Sequence, residues 1–287
     1  MPPYNLFGIE DQNYEKAEVV VLPVPYDSTT SYKSGTRDGP HAIIDASRNI
    51  ELYDEEYSKE ITEIGIYTTD DMQPSVGSPE ETINWLEREV SLVIESGKLP
   101  VIIGGEHSLA VGSIRAVAKH AKDFSVIHFD AHSDYRDEYM GSRYSHACIM
   151  ARAREACKSC YSIGVRSIDA ESASKYSEDI LYMRDMQNMP AKEISDIVNK
   201  RTEKNIYITI DMDVFDTGEM PSVGTPEPNG MKFAQIDAVL KGILAEKNLL
   251  GMDFCELAPI PGLIAPNFLT AKLIFRALEH AYFQKKQ

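Results

Sequence analysis

The chain has 287 residues, 43% hydrophobic and 26% charged, which is the composition of a folded globular protein rather than a disordered one. Asp plus Glu exceed Lys plus Arg by 45 to 29, a formal charge of −16 that argues against nucleic acid and anionic membranes as partners and favours cationic ligands. No apolar run approaches the roughly 18 residues of a membrane span, Met1-Pro2-Pro3-Tyr4 has no signal-peptide pattern, and four cysteines are too few for a disulfide framework, so a reducing cytoplasm is expected.

Taken in chain order, near-continuous apolar runs predict strands over Glu18–Leu22, Ile64–Tyr67, Leu99–Ile103, Ser125–Phe129, Cys160–Val165, Asn205–Ile210 and Leu249–Phe254. Runs without polar alternation fit a parallel sheet covered on both faces. Between them, Ser78–Ser96 reads as a helix: Ser78 caps, Pro79 fills the first turn, Glu81 completes a capping box and Gly97 stops it. Ile83, Leu86, Val90 and Val93 recur along it at helical spacing. Further helices are expected at 108–120, 145–156, 190–203, 232–246 and 267–283. Alternating strands and helices with short connections predict one α/β domain over residues 1–287 with a mostly parallel sheet. Ligands of such sheets sit beyond the carboxyl ends of the strands, so the residues just after each strand carry the functional signal.

Three strand ends carry ligand-type side chains: Gly104-Gly105-Glu106-His107-Ser108, Asp130-Ala131-His132-Ser133-Asp134 and Asp211-Met212-Asp213. In extended backbone, alternate residues point the same way, so Asp130, His132 and Asp134 converge, as do Asp211 and Asp213. With His107 this gives six candidate ligands, four of them carboxylates. One ion rarely needs four carboxylates, whereas two divalent ions balance their charge. Without cations the group would repel itself or take up protons. Oxygen and imidazole donors without thiolate favour hard or borderline ions, Mn²⁺ ahead of Mg²⁺, Fe²⁺ or Zn²⁺. A single DxHxD could be a solvated turn or a helix cap; three such motifs at successive strand ends outweigh that reading.

Together these segments resemble the ureohydrolase family of arginases and agmatinases. The resemblance rests on Ile103–Ala110, on Val126–Asp134, and on Thr209-Ile210-Asp211-Met212-Asp213 running through Pro221-Ser222 to Gly230. Gly35-Thr36-Arg37-Asp38-Gly39-Pro40 also matches, and Thr217, a loop position, departs from the family pattern. The resemblance implies a three-layer α/β/α fold around an eight-stranded parallel sheet and two Mn²⁺ per chain. It implies that His107, Asp130, Asp134 and Asp211 hold one or both ions, with His132 and Asp213 completing the pair. It further implies that His146 shuttles a proton, that Glu256 binds the substrate guanidinium, and that a hydroxide bridging the ions attacks the guanidinium carbon. Trimers or hexamers are the assembly it implies. Chemistry supports the two side-chain roles: a guanidinium is always cationic and calls for a carboxylate, and a departing amine needs a proton carrier of pKa near 6.5.

Substrate class is read from Tyr135-Arg136-Asp137-Glu138-Tyr139, just after the second motif. Asp137 and Glu138 suit a second cationic group better than a carboxylate, so agmatine, cleaved to putrescine and urea, is the leading expectation. Aminopropylagmatine fits the same acidic mouth, and Arg136 and Arg143 leave arginine or a guanidino acid open. A non-catalytic amine sensor on this fold is the rival of another class. Cys157-Lys158-Ser159-Cys160 lacks a second pair for a four-cysteine zinc site and reads as incidental. Cys148 and Cys255 read as packing, His128 as a hydrogen-bonded neighbour of the ligands or a core histidine, and His41, His120 and His280 as structural. The Gly/Pro-rich 224–230 segment lacks the lysine of a phosphate loop.

Overall fold

The computed structural model describes residues 2–284. Its strands are β1 (Val19–Val24), a small antiparallel pair β2 and β3 (Tyr53–Asp54 and Lys59–Glu60), β4 (Ile66–Thr68), β5 (Leu99–Gly104), β6 (Ser125–Phe129), β7 (Ser159–Val165), β8 (Ile180–Tyr182), β9 (Asn205–Asp211) and β10 (Asn248–Cys255). The helices are α1 (Gly39–Ser47), α2 (Pro79–Glu95), α3 (Ala110–His120), α4 (Ile149–Ala156), α5 (Ala170–Tyr176), α6 (Met183–Met186), α7 (Ala191–Arg201), α8 (Phe233–Glu246) and α9 (Ala265–Tyr282). Eight strands form one sheet in the order β4-β1-β5-β10-β9-β6-β7-β8, parallel throughout.

Alternate residues of each strand feed opposite apolar layers, which is why the strands read as unbroken hydrophobic runs. Val19 and Val21 of β1, Val101 and Ile103 of β5, and Ile206, Ile208 and Ile210 of β9 pack with Ile43 of α1, Ile194 and Val198 of α7 and the inner faces of α8 and α9. On the other side, Val20, Leu22 and Ile102 meet Leu86, Val90 and Val93 of α2, while Val126 and Tyr207 meet Ile114 of α3 and Ile149 of α4. The result is the expected three-layer α/β/α arrangement. No helix among the described residues is long and apolar enough to cross a membrane.

Differences from the sequence reading are local. β8, an edge strand of three residues, and the short helices α1 and α5 were not anticipated. Ile61–Ile64 is a 3-10 turn, so the strand expected from Ile64 begins at Ile66, after Gly65 at φ 77°. Ser78 caps α2 by accepting from the Glu81 N–H at 3.2 Å, but the reciprocal half of the box is absent. The Glu81 carboxylate takes the Ser75 hydroxyl instead, at 2.5 Å.

The sheet order positions the site. β9 and β10, last in the chain, fill the gap between β5 and β6, so four neighbouring strand ends come from distant sequence. His107 follows β5, Glu256 follows β10, Asp211 ends β9 and Asp130 follows β6.

Candidate metal centre and active site

Local hydrogen bonds aim each side chain. Thr209 Oγ1 donates to Asp253 Oδ1 at 2.6 Å, so the same oxygen accepts from His107 Nε2 at 2.7 Å. That fixes the ring and turns Nδ1 toward the carboxylates. Nδ1 is buried and makes no hydrogen bond, yet it lies 3.2 Å from Asp211 Oδ2, 3.3 Å from Asp130 Oδ2 and 3.7 Å from Asp134 Oδ2. Asp211 spends its other oxygen on the Asp213 N–H at 2.8 Å, and Asp213 spends one on the Ala131 N–H at 3.0 Å. Their remaining oxygens face the cluster, where Asp213 Oδ2 is 2.9 Å from His132 Nδ1.

Two ligand groups result. Donor atoms of His107, His128, Asp130 and Asp134 lie within 4.8 Å of one another, as do those of Asp130, His132 and Asp213, with Asp130 common to both. His128 belongs to the first group by distance alone. Its Nε2 is 2.8 Å from Asp130 Oδ2 and its Nδ1 is 3.0 Å from Ser162 Oγ, so both nitrogens are engaged and the ring steers Asp130. Asp211, 3.2 Å from His107, takes its place among the candidate ligands.

Electrostatics match a cation site. Burial and the charge on Asp130 push the Asp134 carboxyl well above its usual range, and burial with Asp213 and Asp130 does the same to Asp211. Burial would also raise Asp130, but the neighbouring histidines outweigh it and hold that carboxylate ionised. Burial opposes a charge on His107, yet Asp130 and Asp211 overcome it, so a proton and a metal compete for Nδ1. A buried nitrogen without a hydrogen bond, inside a ring of carboxylates that cannot all ionise together, fits a pair of divalent cations. The oxygen and imidazole donor set fits Mn²⁺ among them.

Glu256 sits over this cluster, 8% exposed, and accepts from the His107 N–H at 2.7 Å. It lines an inner cavity with Asp134, Asp211, His132, His146 and Thr225. Burial and the Asp211 charge hold its carboxyl well above the ordinary range. Glu256 (φ 69°) and Asp134 (φ 50°) both adopt left-handed backbone, a strained choice for non-glycine residues that occurs here at two site carboxylates.

His146 leads the turn before α4. Its N–H donates to Thr29 Oγ1 at 3.1 Å, and its Nε2 is 3.2 Å from Ser31 Oγ. Thr29 is itself held by buried Glu106, whose carboxylate accepts from the Thr29 N–H at 2.5 Å and from Thr29 Oγ1 at 2.6 Å. Burial lowers the His146 pKa from its usual value.

The inner cavity opens past His132, Asp134 and His146 into an outer one of about 300 Å³ lined by Arg136, Tyr139, Ser167 and Asp169. Here the sequence reading needs correction. Asp137 and Glu138, expected to meet a distal ammonium, line neither cavity. Tyr135 is buried against Tyr176 with ring centroids 4.5 Å apart, and of the four residues after it only Arg136 and Tyr139 line the outer cavity. Asp137 is 76% exposed and pairs with Arg152 at 2.5 Å and Arg143 at 3.2 Å. The outer-cavity carboxylate is Asp169, which caps α5 through Ser172 and lies 3.9 Å from Arg136.

Supporting residues escaped the sequence reading. The sequence assigns no role to Glu106, Thr209 or Asp253. Arg166, just after β7, occupies a strand end that the same rule marks for attention. Its guanidinium donates to Asp213 O at 2.7 Å, Glu227 O at 2.8 Å, Pro228 O at 3.0 Å and Phe215 O at 3.1 Å. That clamps the 224–230 loop, with Thr225 at the cavity, onto the turn bearing Asp213. Cys148 and Cys255 are buried, as packing residues would be.

Residues 17–279 match the family model described as "Arginase family". An N(1)-aminopropylagmatine ureohydrolase of Synechocystis sp. is 36% identical over 275 residues, covering 93% of this chain and 90% of that one. An agmatinase of Halalkalibacterium halodurans is 31% identical over 260 residues, with 88% of each chain covered. Among solved structures, an agmatine ureohydrolase of Thermoplasma volcanium superposes with a TM-score of 0.91 at 30% identity, covering 100% of this chain and 97% of that one. The ligand cluster, the sheet order and these likenesses agree: the chain belongs to the arginase family, as a ureohydrolase most similar to its agmatinase-type members.

Proposed function

We propose that the protein releases urea from N(1)-aminopropylagmatine by metal-dependent hydrolysis. The observation that carries this reading is the cavity that continues from Glu256, past Asp134 and His146, into the chamber beside Asp169. A guanidinium held at the inner end leaves room outside for an amine-bearing tail, and the more identical of the two curated relatives above bears that name. Agmatine is the second reading, favoured by the agmatinase and the agmatine ureohydrolase structure.

His107, Asp130, Asp134 and Asp211 would hold one or both cations, with His132 and Asp213 completing the pair beside Asp130 and Mn²⁺ the best match to the donors. Such a pair, when bound, lowers the pKa of water and supplies the attacking oxygen near neutral pH. Glu256 pairs with the substrate guanidinium, which in turn keeps this buried carboxyl ionised. His146, at the boundary between the cavities, takes up a proton from solvent and passes it, as the imidazolium, to the departing amine while the carbon–nitrogen bond breaks. Asp169 faces the tail.

The test is urea release by purified Mn²⁺-loaded protein from aminopropylagmatine, agmatine, arginine and 4-guanidinobutyrate. The expected order of kcat/KM is aminopropylagmatine, then agmatine, then the two carboxylate-bearing compounds. A preference for arginine or 4-guanidinobutyrate would overturn the reading.

A further inference from the structure

The Cys157/Cys160 pair, read from sequence as incidental, is built differently from the other two cysteines. Cys157 ends α4 and Cys160 lies in β7, yet their sulfurs are 3.2 Å apart, closer than the usual contact of two unbonded sulfurs. The intervening backbone is pinned rather than loose. The Lys158 N–H donates to Phe124 O at 3.0 Å, and Ser159 registers with Ser125 of β6, their hydroxyls 2.7 Å apart. Cys160 is buried and Cys157 is partly exposed, so one thiol is reachable and the other waits behind it.

We infer that Cys157 and Cys160 form a redox-responsive dithiol that closes to a disulfide by exchange with a small disulfide of the glutathione class. The two thiols divide the work. A hydrogen bond from Cys160 lowers the Cys157 pKa against the opposing effect of burial, with the Val126 backbone and Arg154 assisting. That same contact, with burial, raises Cys160. The Cys157 thiolate attacks one sulfur of the oxidant, whose S–S bond breaks and expels a thiolate. Cys160 then gives up its proton and attacks the Cys157 sulfur, expelling the second thiolate. The two cysteines lose two electrons and two protons in total, and the oxidant becomes two thiols. The pair lies at the amino end of β7, away from the strand ends that carry the metal ligands. Cys148 and Cys255 have no such partner: Cys148 Sγ faces Ser142 O at 3.7 Å, and Cys255 Sγ faces Asp253 at 3.5 Å.

The test equilibrates the full chain, metal-loaded, against mixtures of oxidised and reduced glutathione, then alkylates, digests and maps the thiols by mass spectrometry. The expected product is a Cys157–Cys160 linkage, reversed by dithiothreitol, with Cys148 and Cys255 remaining free thiols. Cys160→Ser should stop at a glutathione adduct on Cys157, whereas Cys157→Ser should take up none while folded. Wild-type protein that keeps both thiols in oxidised glutathione alone, or that halts at the mixed adduct, would overturn the inference. So would the opposite adduct pattern in the variants. The wild-type mapping decides by itself if either serine variant fails to fold.

Discussion

His146 and Glu256 touch the same cavity but should fail differently when changed. His146→Asn removes a proton carrier and leaves the ligands alone, so turnover should fall roughly 10²–10⁴-fold while metal content stays at the wild-type level. Loss of metal in that variant would make His146 a ligand, and near-normal turnover would make it structural. Glu256→Gln should cut kcat/KM on every guanidino substrate in similar proportion, because it acts on the group they share. A loss confined to one substrate in steady-state assays would contradict that role. The candidate ligands were legible because ligand-type motifs follow three strands, but strand alternation does not place them: Asp134 has φ 50° and Asp213 lies in the 3-10 turn Met212–Val214. The neighbouring acids were misread because sequence adjacency says nothing of direction. Burial of Tyr135 and the pull of Arg152 carry Asp137 outward, while Asp169, thirty-odd residues further on, returns to the cavity.

At the scale of elements, the 213–230 region hangs on Arg166 through several main-chain carbonyls. Arg166→Ala should loosen Asp213 and Thr225 together, weakening metal binding by about 10–100-fold, the usual cost of losing a group that orients ligands. Limited proteolysis should then cut within 216–230. Arg166→Lys keeps a charge but not the planar fork, so it should fall between. Calorimetric metal titration giving wild-type affinity in both variants would refute this. The long strands and helices were readable because each repeats its pattern several times, whereas β8 and α5, of three and seven residues, are too short for a period to emerge. Nor could the sequence reveal that β9 and β10 insert between β5 and β6, since strand order depends on packing across the whole sheet.

At the scale of the whole molecule, an ion-pair cluster around Arg276 of α9 joins the β2–β3 hairpin to α8. Arg276 meets Asp54 and Glu56, and it lies 3.0 Å from Asp237, which also accepts from His280 at 2.9 Å. Burial would raise Asp54 and Asp237, but their hydrogen-bond donors outweigh it and hold both carboxyls low. Their contribution to stability is therefore present above the unfolded pKa, near 4, and is lost as pH falls through the lower folded values. Glu279 has the opposite sign: burial and Asp54 push it up to about 9. Its contribution is fully present below the unfolded pKa and declines as pH rises toward 9. Denaturant titrations should show Glu279→Gln gaining on wild type between about pH 5 and 9; a constant gap would contradict the assignment. The carboxylate and histidine cluster around Asp130 would hold two cations at once. Elemental analysis of fully active protein tests it most directly. Two Mn²⁺ per chain are predicted, with activity lost on chelation, regained on Mn²⁺ addition, and fewer than two ions held by Asp130→Asn. Full activity with one ion or none per chain would contradict it.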